Sequence, residues 1–300
     1  MNDIVSEADT IVSDLDILKY YCADEQRRYH AYQQFRKFAP GTDAEWLAEE
    51  TGVSACTLAR WERSRENPDD TAGSQPRSVQ GIEFLAQRGM LPLTTRSPAL
   101  GLVSYLAGLN WHSGAIHTPS EGQPASCPQF YVDQSSLLVN VAKTLNIPVQ
   151  YSEDHSRYTL PAQVTLLFSE LGIPGNGGKA SHAEPYPDIV DTLLMFEQMP
   201  RVALFLGAQA LTQAGKHAGS VIVAGIKKDT PELARMTGDA MYALYCQAFP
   251  GLEPGTPKIQ ESHGKHYATL RMSEDKYQSI VEHTHWLLRK EAATVKEYSR

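Results

Sequence analysis

The stretch "LVSYLAGLNWHSGAIHT" runs from Leu102 to Thr118. With "PAL" and Gly101 before it, it reads as a helix that ends at Gly114. Gly101, Ser104 and Gly108 recur at steps of three and four residues, so they share one face of that helix. A face of small residues admits a second helix inside the usual separation of about 8–10 Å. About a hundred residues on, "PRVALFLGAQALTQAG" offers such a partner. It ends at Gly215 and carries Ala203, Gly207, Ala210 and Ala214 along one side. The expectation is a close helix pair at the centre of residues 91–290, with Gly108 and Gly207 facing each other.

The segments following the two helices repeat in kind. After the first come strand-like "AIHT" and "PQFYVDQ", a helix "SSLLVNVAKTLN", strands "PVQYSED" and "RYTLPAQ", and a helix "VTLLFSELG". After the second come a strand "SVIVAGIKK", a helix "TPELARMTGDAMYALYCQAF" opened by Thr230 and Pro231, strands "PKIQESHG" and "KHYATLRMS", and a closing helix from "YQSIVEHTHW". Two units of the same order, 91–195 and 196–300, predict a pseudo-twofold α+β saddle.

The N-terminal part has a different grain. "DEQRRYHAYQQFRKF" (24–38) sets Tyr29, Tyr32, Phe35 and Phe38 on one helical stripe. In "DAEWLAEETGVSACTLARWERSRENP" (43–68), Thr42 or Asp43 caps a helix, Gly52 permits a tight turn, and Ser54 caps a second helix. The spacing of Leu47, Ala48, Gly52, Val53, Leu58 and Trp61 resembles the helix-turn-helix of bacterial and archaeal regulators. That resemblance implies a domain over 1–66. It implies base contacts from Ser54, Ala55, Thr57, Arg60 and Arg63, with Arg27, Arg28, Arg36 and Lys37 near phosphates. Residues 67–81 read as a linker, and "IEFLAQRGMLPL" as a short helix, so 67–90 connects the parts.

"LAGLNWHSGAI" (106–116) resembles the signature of the LAGLIDADG homing endonucleases. Leu106, Ala107, Gly108, Leu109, Gly114, Ala115 and Ile116 match, and "GAQALTQAG" (207–215) stands faintly at the second copy. The family implies an acid just before each terminal glycine, where the pair binds divalent metal between two scissile phosphates. Mg²⁺ demands hard oxygen ligands. Here Ser113 and Ala214 occupy those positions, and Trp111 and Thr212 lie two residues earlier. The resemblance therefore implies a degenerate metal site, no bound metal or other cofactor, and a catalytically inactive scaffold. A helix-turn-helix joined to a non-cutting scaffold of this kind is similar to the WhiA-type regulators, although the order of the parts is reversed. The sheets would face DNA. They offer Lys227, Lys228, Lys258, Lys265 and Arg271, with His263 and His266, in the second half. In the first they offer His117, His155 and Arg157, with Gln129, Tyr131 and Gln150.

Composition frames these readings. The 300 residues carry 27 Lys and Arg against 35 Asp and Glu, for a net charge of −8. That balance does not favour nucleic acid unless cations gather on one face. Four separate cysteines give neither a zinc pattern nor a disulfide framework. The acidic N-terminus lacks the basic region of a secretory signal, so the expected home is the cytoplasm, beside the nucleoid. "GIPGNGGK" (172–179) lacks the first glycine and the final Ser/Thr of a phosphate loop. Three functions remain open. The first is a sequence-specific double-stranded-DNA-binding regulator with a protein partner in the transcription machinery. The second is an active endonuclease with displaced metal ligands, and the third is a protein-binding scaffold.

Overall fold

The computed structural model describes residues 9–66, 75–116, 126–131, 135–175, 182–213, 215–217 and 220–298. His117, Ala214 and residues 176–179 of the "GIPGNGGK" segment lie outside this set.

The chain opens with a short strand, β1 (Thr10–Val12), and helix α1 (Asp14–Leu18). Ser13 and Asp16 close a capping box on α1, with the Ser13 N–H donating to the Asp16 carboxylate at 2.8 Å. Helix α2 (Ala23–Phe35) buries Tyr29, Tyr32 and Phe35, the expected stripe. Helix α3 (Ala44–Thr51) starts at Asp43, whose carboxylate accepts the Glu45 and Trp46 N–H groups at 3.0 and 2.8 Å. It ends at Gly52, in the left-handed region at φ 66°. A side chain there would be strained, so glycine sets the turn into α4 (Ala55–Glu66). Leu47, Leu58 and Trp61 are buried between these helices. Trp61 packs edge-on against Tyr32, with centroids 5.0 Å apart. Arg65 lies 4.2 Å over the Phe35 ring and donates to the carbonyls of Phe35 and Phe38 at the end of α2.

Helix α5 runs over Arg77–Ala86. It begins five residues before the expected short helix, so Arg77–Gly81 are not linker. Pro76 starts it with a suitable φ, and Val79, Ile82 and Leu85 form its buried face. Strand β2 (Leu93–Thr94) pairs antiparallel with β1. No pattern in the sequence signals this pairing. It ties the N-terminal segment to the entrance of the saddle.

The first half continues with α6 (Leu100–Ser113), β3 (Gly114–Ala115), β4 (Gln129–Phe130), α7 (Ser135–Thr144), β5 (Gln150–Ser152), β6 (Arg157–Thr159) and α8 (Ala162–Glu170). A connecting helix, α9 (Asp188–Met195), follows. The second half is α10 (Met199–Gln213), β7 (Gly215–His217), β8 (Ser220–Lys228), α11 (Pro231–Ala248), β9 (Lys258–Ser262), β10 (Lys265–Ser273) and α12 (Glu274–Tyr298). The strand orders are β3-β4-β6-β5 and β7-β8-β10-β9, both antiparallel. Each half is thus helix, two strands, helix, two strands, helix, with the same order of neighbours in its sheet. This is the doubled α+β unit that the sequence predicts.

Helices α6 and α10 pack along each other at the centre of the molecule. Gly108 makes the approach possible. A Cβ on it would lie 3.0 Å from the Phe205 Cα and nearer still to the Phe205 carbonyl oxygen, so the two backbones almost touch. The expected meeting of Gly108 with Gly207 is corrected. Gly207 sits under Thr284 of α12, and Gly101 sits under Glu291 of the same helix. The small residues therefore serve two contacts, one between the lead helices and one beneath α12. One apolar core runs from Val12 through the α2–α5 helices and both halves to Val295.

Candidate nucleic-acid interface

Alternation along the strands decides which side chains a groove could meet. In the second sheet, Ala268 faces Gly238 of α11, so the residues in step with it face the helices. These are His266, Leu270 and Met272 on β10, with Ile226 and Lys228 opposite on β8. The other face is open. Across it Lys227 pairs with Tyr267, and Tyr267 with Gln260. Thr269 pairs with Lys258, Ile222 with Arg271, and Lys265 with Ser262. Lys227 and Lys258 are exposed, and Arg271 is half-buried. Lys265 is half-buried and bonded to the Asp229 carboxylate. Four of the five expected cations therefore share the open face.

Lys228 does not, and this corrects the expectation. It is fully buried on the helix side, where its Nζ donates to the carbonyls of His182 and Glu184 at 2.7 and 3.3 Å. Burial pushes its pKa down, with Asp229 and Glu184 pulling the other way. From that position it holds the segment between the two halves onto β8, and it cannot reach a duplex. His266 faces the same way on β10, and His263 sits in the exposed turn after β9 at φ 51°.

The open face of the first sheet is nearly neutral. Phe130 packs on Phe168 of α8, so Gln129 and Tyr131 point away from the helices. The Gln129 Oε1 accepts from the Tyr131 hydroxyl at 2.8 Å and from Arg157 at 3.0 Å. Gln150 lies across from Thr159 on the same face. His155 is exposed in a short 3₁₀ turn between β5 and β6. Period two within "KHYATLRMS" was the signal that could have added Tyr267, and the pairing with β9 adds Gln260.

Where the lead helices end, Trp111 is buried and meets the His182 ring edge-on at 5.8 Å. His112 Nδ1 lies 3.4 Å from Gln209 Nε2, which reaches across from α10. The half-buried Ser113 uses its carbonyl to accept the Tyr131 N–H at 2.7 Å. Asn110 donates to the Gln129 carbonyl at 3.2 Å. Asn110 and Gln209 are fully buried polar residues at this seam that sequence reasoning missed. Among the described residues no group of three or more His, Cys, Asp or Glu is placed to hold a metal ion.

On α4, Ala55, Arg60 and Arg63 are exposed. Ser54 and Thr57 are bound to one another, their hydroxyl oxygens 3.0 Å apart, while the Thr57 N–H is 3.4 Å from Ser54 Oγ. On α2 and just beyond it, Arg27 pairs with Asp24, Arg28 with Glu25, and Arg36 with Glu83. Among the described residues Arg60 and Arg63 form no ion pair.

No family model and no curated protein matches the chain. Solved structures of the homing endonuclease I-DmoI do resemble it. One, of mesophilic variants, has 12% identity and a TM-score of 0.36 over 63% of this chain and 97% of that one. Another, of a variant in complex with its target DNA and in the presence of 2 mM Mn, has the same identity and score over 62% and 94%. The expectation of a catalytically inactive scaffold is corrected: the solved structures that resemble the chain are of a homing endonuclease, and Ser113 where the resemblance expects an acid does not show that activity is lost. Among the described residues no helix is long and apolar enough to cross a membrane.

Proposed function

We propose that the chain binds double-stranded DNA in a sequence-specific way and acts as a transcription regulator. The observation that carries this reading is the row of cations on the open face of the second sheet. A chain with net charge −8 places Lys227, Lys258 and Arg271 together there, beside Lys265 paired with Asp229. Cations so gathered release counterions from a duplex and supply sequence-independent affinity. The α3–α4 unit, read as a helix-turn-helix, adds Arg60 and Arg63 on the exposed side of α4. Two modules on one chain raise avidity without either binding tightly.

The test is selection of duplexes from a random pool, followed by salt titration on the selected site. One enriched sequence and a steep salt slope are expected. Arg60→Ala should weaken binding to that sequence by about 1–3 kcal/mol and relax the preference, as for a base-reading arginine. No enrichment over the pool would end the sequence-specific reading. Transcription in vitro from a promoter bearing the selected site tests the regulatory role. The same complexes, incubated with Mg²⁺ or Mn²⁺ on supercoiled plasmid, report whether the duplex is also cut.

A further inference from the structure

We infer a second ligand site, built for a nucleotide, at the end of α6 and α12 remote from the sheets. A cleft of about 1140 Å³ opens between the C-terminal ends of α5, α7 and α12 and the start of α6. Arg88, Lys143 and Lys296 line it, with the amides of Gln87, Asn140 and Asn146, and among the described residues no carboxylate does. In a chain with more acids than bases, three cations without a counter-acid form a pocket for an anion. Arg88 is pre-positioned. Its Nε donates to the Asn146 carbonyl at 2.8 Å, one Nη donates to the Phe84 carbonyl at 2.7 Å, and the guanidinium lies 3.6 Å from the Phe84 ring centre. Burial lowers its pKa, a cost that a neighbouring anion relieves.

Asn140 and Thr144 also line an adjoining recess of about 250 Å³. Its walls are mostly apolar, from Leu102, Leu137, Val141 and Leu288, and Arg289 also lines it. His285 lines it too. A largely apolar slot beside a basic cleft fits an aromatic base joined to phosphates. Tyr298, exposed at the rim, offers a further ring. The site is far from the saddle. Helix α6 has 14 residues, so its start lies about 20 Å from β3. A duplex lying on the sheets does not cover it. The inference therefore stands apart from the DNA-binding reading.

The full-length protein is titrated by calorimetry at low salt with ATP, with GTP and with inorganic pyrophosphate. At least one nucleotide should bind saturably and more tightly than pyrophosphate. Lys143→Glu and Lys296→Glu, both on the surface, should each weaken nucleotide and pyrophosphate about tenfold or more. His285→Phe and Ala292→Leu, two independent ways of filling the recess, should weaken the nucleotide and leave pyrophosphate unchanged. Lys227→Ala should change neither, and a random-sequence duplex should not displace the nucleotide. Absence of saturable binding by all three probes overturns the site. Displacement by duplex, or equal weakening by Lys227→Ala, overturns it by moving the phosphates to the saddle. Full nucleotide affinity in a folded recess-filling variant overturns the nucleotide assignment.

Discussion

Lys227 and Lys228 adjoin in β8, and strand alternation sends them to opposite faces. The two should therefore answer differently to the same change. Lys227→Ala removes a groove-facing charge, so the slope of log affinity against log salt should fall by about 1, with stability unchanged. Lys228→Ala leaves the His182 and Glu184 carbonyls without their donor. It should cost about 1–3 kcal/mol of stability and leave the salt slope alone. Urea melts and salt titrations of both variants check the pair. Equal slopes in the two would mean that the sheet does not present Lys227 to DNA. A second residue-scale effect concerns His283, which stacks on Trp286 and meets Phe249 edge-on. Partial burial holds its pKa below the ordinary 6.5. Between the lowered value and 6.5 the unfolded chain binds more protons than the folded one, so stability falls as pH drops through that window. His283→Gln should flatten this part of the curve, read from urea midpoints at stepped pH. At this scale the sequence was half legible. "SVIVAGIKK" marks a strand, and period two already forbids both lysines from facing one way. Nothing in it discloses that carbonyls 44 and 46 residues earlier await Lys228.

Small residues on a helix announce close packing but not the partner, and α10 illustrates the difference. Its Ala/Gly side predicts one seam with α6. The contact to α6 instead uses Gly108 against the Phe205 backbone, while Gly207 receives Thr284 from a helix some seventy residues later. Overpacking typically costs about 1–3 kcal/mol, and more where backbone rather than a side-chain tip must move. Gly108→Leu should therefore lower the melting temperature more than Gly207→Leu. Hydrogen exchange should show loosening centred on the α6–α10 contact in the first variant and on α12 in the second. Identical protection maps would mean one shared seam after all. Long elements with strong period were legible. β8, α11 and β10 begin and end within a residue or two of the reading, because Thr230 caps α11 by accepting the Leu233 N–H and the strands pair along their whole length, with one irregularity between Leu270 and Arg271. The brief ones were not: β1, β2 and β7 are two or three residues long and exist only through their partners. The start of α5 was missed because Ser78, Gln80 and Gly81 read as loop, whereas Ser78 is buried with its hydroxyl on the Glu25 carbonyl and Gly81 admits the Tyr21 ring.

At the scale of the molecule, the charge balance hides an uneven distribution, and the doubled element order was the most legible feature of all. The attachment of the N-terminal region was not. β1 pairs with β2, and Lys19 just after α1 bonds Glu170 of α8 at 2.8 Å, across 151 residues. Removing residues 1–22 should expose Ile82, Leu85 and Leu93 and lower the melting temperature of the entire chain. A saddle that melts unchanged without them would show that the N-terminal segment is only an appendage. Helix α12 has a wider meaning. It lies across both lead helices, with Thr284 over Gly207 and Glu291 over Gly101. With Gly215 standing where Gly114 does, the counterpart of Gly101 in the second half is Val202, a fully buried branched side chain. A second copy of residues 196–300, set in place of the first half, would bring Val202 against Glu291 and a duplicate α12 into the same space. The halves look like twins, yet they are no longer interchangeable. The duplication that the topology records has become irreversible, because one twin now carries the beam that locks the other.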